Sequence, residues 1–189
     1  MTGHGHGGGL GDGDKRIALL ISVLALFLAV SETLGKSAQT EALSKNVEAA
    51  NLWAFFQARS IRQTVVTSAA DQAELHKAAA ADEAALQAIT RQQESWRRSA
   101  LRWESEPATG EGRRELATRA QAAEAQRGKS LSAYHLFEYG SAAFQVAIVL
   151  ASASIVTSVA MLALGGVGLG VVGVALTMLA ILAPTALHL

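Results

Sequence analysis

The sequence predicts an all-α membrane protein with three transmembrane helices and a folded-back, coiled-coil-like helical hairpin between the first and the second. The chain of 189 residues has only two prolines, and half of its residues are hydrophobic, mostly Ala, Leu and Val. Such a composition favours helices throughout. No Asp, Glu, Lys or Arg follows Glu138, and long uncharged apolar stretches are what a helix needs to cross a bilayer.

The N-terminal region combines a tail with the first apolar stretch. Residues 1–16 are rich in Gly and His and are expected to be disordered, because they cannot bury a core. Residues 17–34 are predicted to form the first transmembrane helix, since no charge interrupts the run up to Val30. The run also fits a signal peptide with the cleavage motif Ala29-Val30-Ser31. We favour an uncleaved helix because the Gly/His-rich leader is long for a signal peptide.

Two further apolar stretches lie in the C-terminal region. Residues 141–164 and 167–184 are each about long enough to span ~30 Å of hydrocarbon. The glycine pair at 165–166 lies between them and predicts a tight turn. A buried hairpin in a water-soluble protein is the alternative, but the rest of the chain is too small to enclose two such helices. Residues 35–140 remain as the predicted extramembrane helical hairpin domain.

The hairpin is predicted from one turn signal and two periodic segments. Pro, Thr and Gly residues cluster in 104–112, which is the clearest turn in the chain. Two heptad-like seams with steps of three and four run from Leu75 to Trp103 and from Leu116 to Ser141. Both are mostly apolar but include polar residues such as Gln93 and Arg127. These two segments indicate an antiparallel coiled coil, whereas a solvated single helix with an Ala-rich face is the alternative.

Helix lengths constrain the path of the outgoing chain. A straight helix over 36–105 would be about 105 Å long, whereas a return helix over 113–140 would rise only about 40 Å. Both would start at the same membrane face, so residues 36–70 are expected to reverse or to lie along the membrane. Gly35 and the segment 67–72 are the expected bends.

The stretch NLWAFFQ, residues 51–57, concentrates aromatic side chains outside the predicted transmembrane helices. The fold-back would bring them near the aromatic residues that precede the second transmembrane helix. A core cluster is the preferred interpretation, followed by contact with lipid or a partner, and then by a ligand-stacking site. The candidate interaction patch comprises Trp53, Phe55, Phe56, Tyr134, Phe137 and Tyr139.

Several polar groups and glycines lie within or beside the apolar stretches. Ionisable residues in a membrane are functional candidates by default, although carboxylates at an interface more often reach water or a basic side chain. An amide inside a span is expected to bond to a neighbouring helix, and glycines four residues apart permit close helix contact, here preferably within one molecule. The candidate interface groups are Glu32, Glu138, His135 and Gln145, and the candidate helix-packing residues are Gly166 and Gly170.

The sequence contains no pattern for catalysis or for a cofactor. The absence of cysteine excludes disulfides, Cys-based zinc sites and thiol catalysis. His4 and His6 could bind a metal weakly, whereas His76, His135 and His188 have no ligand spacing. The 16 basic and 16 acidic residues balance, so no net field favours nucleic acid. We therefore expect no enzyme activity, no cofactor, no metal site and no nucleic-acid partner.

Two long segments resemble a known family. EALSKNVEAANLWAFFQARSIRQT (41–64) and YHLFEYGSAAFQVAIVLASASIVT (134–157) are similar to a family of small bacterial inner-membrane proteins catalogued as domain of unknown function 4337. The similarity extends over most of the chain from about residue 17 onward. It implies a fold and a membrane location, but no activity. Family members often carry basic residues between the last two spans, and this chain has TSVAMLALGGVG there instead.

These observations predict a membrane-anchored helical scaffold or interaction protein, an accessory subunit or modulator of a larger membrane complex. The alternative is a small oligomeric transport or channel component, lined by Ser and Thr of the second transmembrane helix and gated near Glu32 and Glu138. The expected partners are the lipid bilayer and either further copies of the chain or another membrane protein. Lys15 and Arg16 favour a cytoplasmic N-terminus in the bacterial inner membrane, with residues 35–140 on the periplasmic face.

Overall fold

The structure is a computed structural model, and it describes residues 12–186. Within this range the chain is all helical, without a strand, so the predicted all-α class is confirmed. The helices are α1 (Asp12–Lys77), α2 (Glu83–Glu104), α3 (Arg113–Thr157) and α4 (Ala160–Leu182). Three of these helices, α1, α3 and α4, are long and apolar enough to cross a membrane.

The chain divides into two compact units. Unit 1 comprises Met1–Ala42 and Gly128–Leu189, and unit 2 comprises Leu43–Arg127. Helices α1 and α3 contribute to both units, whereas α2 belongs to unit 2 and α4 to unit 1. Each unit has a core of its own.

The core of unit 1 forms where α1, α3 and α4 approach one another. Leu24 of α1 packs with Phe144 and Ala147 of α3. A second cluster joins Leu136 and Phe137 of α3 with Ala180 of α4. Alanines and glycines beside large rings let these helices pack closely, as in membrane helix bundles.

Unit 2 is built on α1, against which both α2 and the first turns of α3 run antiparallel. Gln93 of α2 donates to the carbonyl of Ala70 at 2.8 Å, and Glu104 at the end of α2 accepts from Gln63 at 3.1 Å. Residue numbers therefore rise along α2 as they fall along α1. The contact between α1 and α3 is a cluster of Ala49, Leu52, Leu116, Ala120 and Ala123.

Residues 36–70 do not reverse as one of the expected paths requires, because α1 continues as one helix through Gly35 and through 67–72. Gly35 is buried instead, and a Cβ there would lie 3.1 Å from the Cβ of Phe137, so this glycine permits a close helix contact. The two periodic segments were also expected to pair with each other, but the contacts join both of them to α1. Each packs on α1, and the chain reverses before α2 rather than within 36–70.

The reversal between α1 and α2 occurs where the periodicity predicts a continuous helix. It lies in HKAAAADE, and the four alanines conceal it because Ala is the best helix former. Asp82 is the N-cap of α2, and its carboxylate accepts a hydrogen bond from the backbone N–H of Ala85 at 2.7 Å. An Asp followed by Glu83 is the start signal that identifies this break in the sequence.

The predicted turn at 165–166 is also wrong, since both glycines lie inside α4. The break follows Thr157 instead, and it shifts the predicted boundaries 141–164 and 167–184. Ser158 adopts a left-handed φ of 58°, a conformation that commonly ends helices.

The predicted disordered tail, residues 1–16, is only partly within the described range. Residues 1–11 lie outside it, and the helix α1 already includes the last residues of that tail. His4, His6 and His188 lie outside the described residues as well.

Candidate functional site

A cleft of about 480 Å³ opens between α1 and α3 in unit 1, and it unites polar residues that the sequence places far apart. Residues three or four apart share one face of a helix, which explains why each helix contributes several polar groups to it. The cleft is lined by Ser31, Glu32, Gly35, Lys36, Gln39, Tyr134, Phe137, Glu138, Ser141, Ala142 and Gln145.

All four candidate interface groups lie in or beside this cleft. The amide of Gln145 donates to the carboxylate of Glu32 at 3.2 Å, which links α3 to α1. The Nδ1 of His135 lies 3.7 Å from a carboxylate oxygen of Glu138, an ion pair when the imidazole is protonated. With Lys36 of α1, the cleft presents two carboxylates and one ammonium group.

A buried polar contact lies next to the cleft, where α1, α3 and α4 meet. The hydroxyl of Ser31 donates to the carbonyl of Phe137 at 3.1 Å, and the hydroxyl of Thr177 donates to the carbonyl of Gly173 at 2.9 Å. The two hydroxyl oxygens are 3.3 Å apart. A Cβ on Gly140 would lie 2.9 Å from the Thr177 hydroxyl, so only glycine leaves room for this contact. In the sequence, this contact is marked by Thr177, which is the one hydroxyl-bearing residue in the otherwise apolar helix α4.

The two candidate helix-packing glycines contact different helices of unit 1. A Cβ on Gly166 would lie 2.9 Å from the carbonyl oxygen of Ala147 in α3. A Cβ on Gly170 would lie 2.6 Å from a methyl carbon of Leu24 in α1. Both glycines are buried, and both face neighbours within the same molecule.

The candidate aromatic patch is divided between the two units. Tyr134, Phe137 and Tyr139 belong to unit 1, where the first two line the cleft and Tyr139 is exposed. Trp53 and Phe56 pack against the α1–α3 cluster of unit 2.

Within unit 2 the aromatic side chains have different surroundings. The Trp53 and Phe56 rings meet edge to face at 5.4 Å, and the indole N–H of Trp53 donates to Glu124 at 2.9 Å. Trp53 therefore packs against α3 at Glu124 rather than against the residues expected from a fold-back. Phe55 is 64% exposed.

A polar network at the junction of three helices in unit 2 was not expected from the sequence. Glu104 at the end of α2 accepts from Gln63 of α1 at 3.1 Å, and from Arg113 and Arg114 of α3 at 2.9 and 3.2 Å. The Arg113 guanidinium also lies 5.1 Å from the centre of the Phe56 ring. The hydrogen bond from Gln63, helped by the two arginines, holds the pKa of the Glu104 carboxyl below its usual value despite the opposing effect of burial.

The connection from α2 to α3 is fixed by Glu115. Its carboxylate accepts from the hydroxyl of Ser105 at 2.6 Å and from the backbone N–H of Glu106 at 3.1 Å. The hydrogen bond from Ser105 is the main cause of a lowered pKa of Glu115. Polar contacts thus hold the connection between α2 and α3, which lies within the turn that the sequence predicts at 104–112.

The side of α1 that faces away from α3 in unit 2 carries a second apolar surface. Its large side chains are exposed: Leu43 by 64%, Val47 by 52%, Ile61 by 66% and Val65 by 61%. We call this surface the outer stripe, and it consists of Leu43, Val47, Ala50, Ala54, Ile61 and Val65. The sequence signal for it is a second set of apolar residues at steps of three, four and seven along α1, besides the set that packs on α3.

Across residues 12–186, no three His, Asp or Glu side chains are grouped so that they could hold a metal ion.

One comparison with known proteins identifies a relationship. A family model described as a domain of unknown function (DUF4337) matches residues 13–183. No curated protein and no solved structure matches the chain.

Proposed function

This chain belongs to the DUF4337 family, and from that premise we propose that it is a membrane-anchored helical scaffold without enzymatic activity. Its three long apolar helices anchor it in the bilayer. Residues 43–127 form an extramembrane helical region through which it engages other proteins. In this role it is an accessory subunit or a modulator of a larger membrane complex.

The surface of unit 1 supports the anchoring. Water-soluble monomers rarely expose large contiguous apolar surfaces. In unit 1, all three helices that are long enough to span a bilayer carry exposed large apolar side chains. Examples are Leu19, Leu26, Val149, Leu164, Val171 and Leu182. A lipid environment accounts for these side chains, because hydrocarbon chains can cover them.

The contrast between the two units supports the scaffold role, and it is the observation that carries the proposal. In unit 2, charged side chains link separate segments of the chain. Glu104 of α2 lies 2.9 Å from Arg113 of α3, and the guanidinium of Arg59 in α1 lies 2.6 Å from Glu111 in the connection between α2 and α3. These contacts fix the arrangement of α2 and α3 on α1. The same unit leaves the outer stripe exposed, and a rigid helical support with an uncovered apolar face is typical of a protein-binding surface.

The proposed location is the bacterial inner membrane, with three spans. The N-terminus would lie in the cytoplasm and residues 43–127 in the periplasm. The support is the pair of basic residues Lys15 and Arg16 before the first apolar segment, since basic residues are retained on the cytoplasmic side.

Native mass spectrometry after transfer of the membranes into nanodiscs tests the scaffold proposal. We expect the chain in defined assemblies, with itself or with another membrane protein. A chain that is fully monomeric at native expression levels in lipid would contradict a scaffold role. A chain recovered in the soluble fraction after mild lysis would contradict the anchoring.

A small transport component is the second candidate, and the polar cleft is the observation that favours it. An oligomer could place Glu32 and Glu138 along an ion path. Against this stand the hydroxyls of Ser152 and Thr157, which donate to their own helix at 2.8 Å and so do not need water. Ion flux into liposomes decides the matter: flux that Glu32→Gln abolishes would favour transport over scaffolding.

A further inference from the structure

We propose that the outer stripe of α1 is the surface through which two copies of this chain associate, as a parallel two-stranded coiled coil. This deepens the proposed function by naming a partner, and it rests on the membrane anchoring proposed there. The α1 helices of two copies enter the same bilayer in the same direction. Their outer stripes therefore lie at the same distance from the membrane and can meet side by side.

The geometry of α1 leaves this stripe uncovered in unit 2. At about 100° per residue, the six stripe residues lie within roughly 60° of the helix circumference. The opposite side carries Ala49, Leu52 and Phe56, which pack against α3. A helix that is apolar on two opposite sides is normally covered on both. Unit 2 covers only one of them.

The spacing of the stripe matches a coiled-coil seam. Val47, Ala54 and Ile61 recur every seven residues, as the a positions of a heptad do, and Leu43 and Ala50 occupy the d positions. Two of the three a residues, Val47 and Ile61, are β-branched, and β-branched residues at a combined with Leu at d, as at Leu43, favour two strands. The next d position is Gln57, which would meet the same residue of the other copy in a parallel pair.

That glutamine contributes specificity. Two amides at the same height can donate and accept reciprocally, and a polar pair inside an apolar seam fixes the register of the two helices. An antiparallel pair would separate the two amides.

Charge favours a second copy over a charged partner. No stripe residue is charged, and the charged residues of the same segment point to other sides of the helix, such as Glu48, Arg59 and Arg62. A charged protein would find no counter-charge on the stripe. A second copy meets no like charge there, so nothing electrostatic opposes self-association.

The available area is sufficient for a pair held in one membrane. From Leu43 to Val65 the stripe is about 33 Å long. Two such stripes bury on the order of 1,000 Å², which is near the lower limit of specific interfaces. Confinement of both copies to one bilayer raises their effective concentration, which compensates for the modest area.

Cysteine cross-linking of the full-length chain in native membranes tests the proposal, because the natural chain has no cysteine. Single cysteines replace two stripe residues, Val47→Cys and Ile61→Cys. The controls are Glu48→Cys and Arg62→Cys, exposed neighbours that lie about 100° further around the helix. After mild oxidation we expect disulfide-linked dimers at least fivefold more abundant for the stripe positions than for the controls.

Other outcomes would overturn the proposal. Equal cross-linking of stripe and control positions would indicate random collision. Adducts of the stripe cysteines with a different protein, without dimers, would assign the stripe to another partner. Membrane-bound protein that does not cross-link at the stripe would reject the pair while leaving the anchoring intact, and protein absent from the membrane fraction would reject the anchoring itself.

A second variant measures the pair without cross-linking. Ile61→Lys adds a charge to an exposed position, so the helices are expected to form with unchanged circular dichroism. In nanodiscs it is expected to reduce the dimer fraction at least tenfold, with Arg62→Ala as the matched control. A dimer fraction that Ile61→Lys leaves unchanged would contradict the stripe as the contact surface.

Discussion

Single side chains in this protein are distinguished by what covers them rather than by their type. Trp53 and Phe55 are neighbours in the same aromatic stretch, yet Trp53 packs against the α1–α3 cluster and Phe55 is 64% exposed. The aromatic stretch itself is evident in the sequence. Which of its rings is covered depends on where α3 lies, and the spacing along α1 alone does not contain that information.

Trp53→Ala is expected to destabilise unit 2 by about 2 kcal/mol, because it removes a large, partly buried ring. It also removes the hydrogen-bond donor to Glu124. Phe55→Ala is the matched control and should change the stability by less than about 0.5 kcal/mol. Thermal melting in detergent, followed by circular dichroism, measures both. An equal or greater loss from Phe55→Ala would contradict the packing of this helix face.

Gly166→Ala is expected to destabilise unit 1 by about 1–3 kcal/mol, since the new methyl group would press on backbone atoms of α3 that cannot rotate away. The Cβ would lie 2.9 Å from the carbonyl oxygen of Ala147. Gly168→Ala in the same helix meets nothing within 4 Å and should be neutral. The melting temperatures of the two variants in one detergent provide the comparison. Equal values would show that α4 does not pack on α3 at Gly166.

At the scale of the helices, the sequence predicts where a helix forms and whether it is apolar better than it predicts which helices pack together. The three long apolar segments, the turn within 104–112 and the entry into α3 all follow from composition and periodicity. The break before α2 is not evident from the periodicity, because the alanines around it favour a helix. One contact that pairs α2 with α1 is made by Gln93, whose buried amide donates to the carbonyl of Ala70 and to the carboxylate of Glu74. A polar residue in an apolar seam does not reveal such a partner.

The attachment of α2 and α3 is expected to weaken in acid. Hydrogen bonds from Gln93, Gln63 and Ser105 lower the pKa values of Glu74, Glu104 and Glu115, respectively. A carboxyl whose pKa is lower in the folded than in the unfolded state contributes stability above its unfolded pKa. That contribution is lost as the pH falls through the lowered, folded value.

Hydrogen exchange at neutral pH and at a series of acidic values, read peptide by peptide over α2, measures this effect. The backbone amides of α2 should be protected from hydrogen exchange at neutral pH. This protection should decrease once the pH falls below the usual pKa range of glutamate. In Glu104→Gln the protection at neutral pH should be lower and its decrease in acid smaller. Protection that rises with acid would contradict the assigned network.

At the scale of the whole molecule, the three long apolar helices are proposed to lie in a bilayer. Composition already suggests this, because no charged residue follows Glu138. The structure adds that many of the apolar side chains of unit 1 do not pack within the protein. Leu26, for example, is 64% exposed. The sequence cannot distinguish a side chain buried in protein from one covered by lipid, whereas a chemical probe can.

The measurement that tests this claim most directly is labelling of single cysteines by a membrane-impermeant maleimide in intact bacterial cells, before and after the cells are opened. Ala108→Cys in the α2–α3 turn should label in intact cells, after permeabilisation of the outer membrane only. Val159→Cys, between α3 and α4, should label only once the inner membrane is opened. Leu26→Cys should stay unlabelled in both conditions and react only in denaturant, because lipid covers it. Ready labelling of Leu26→Cys in intact or opened membranes would contradict the membrane-anchored account.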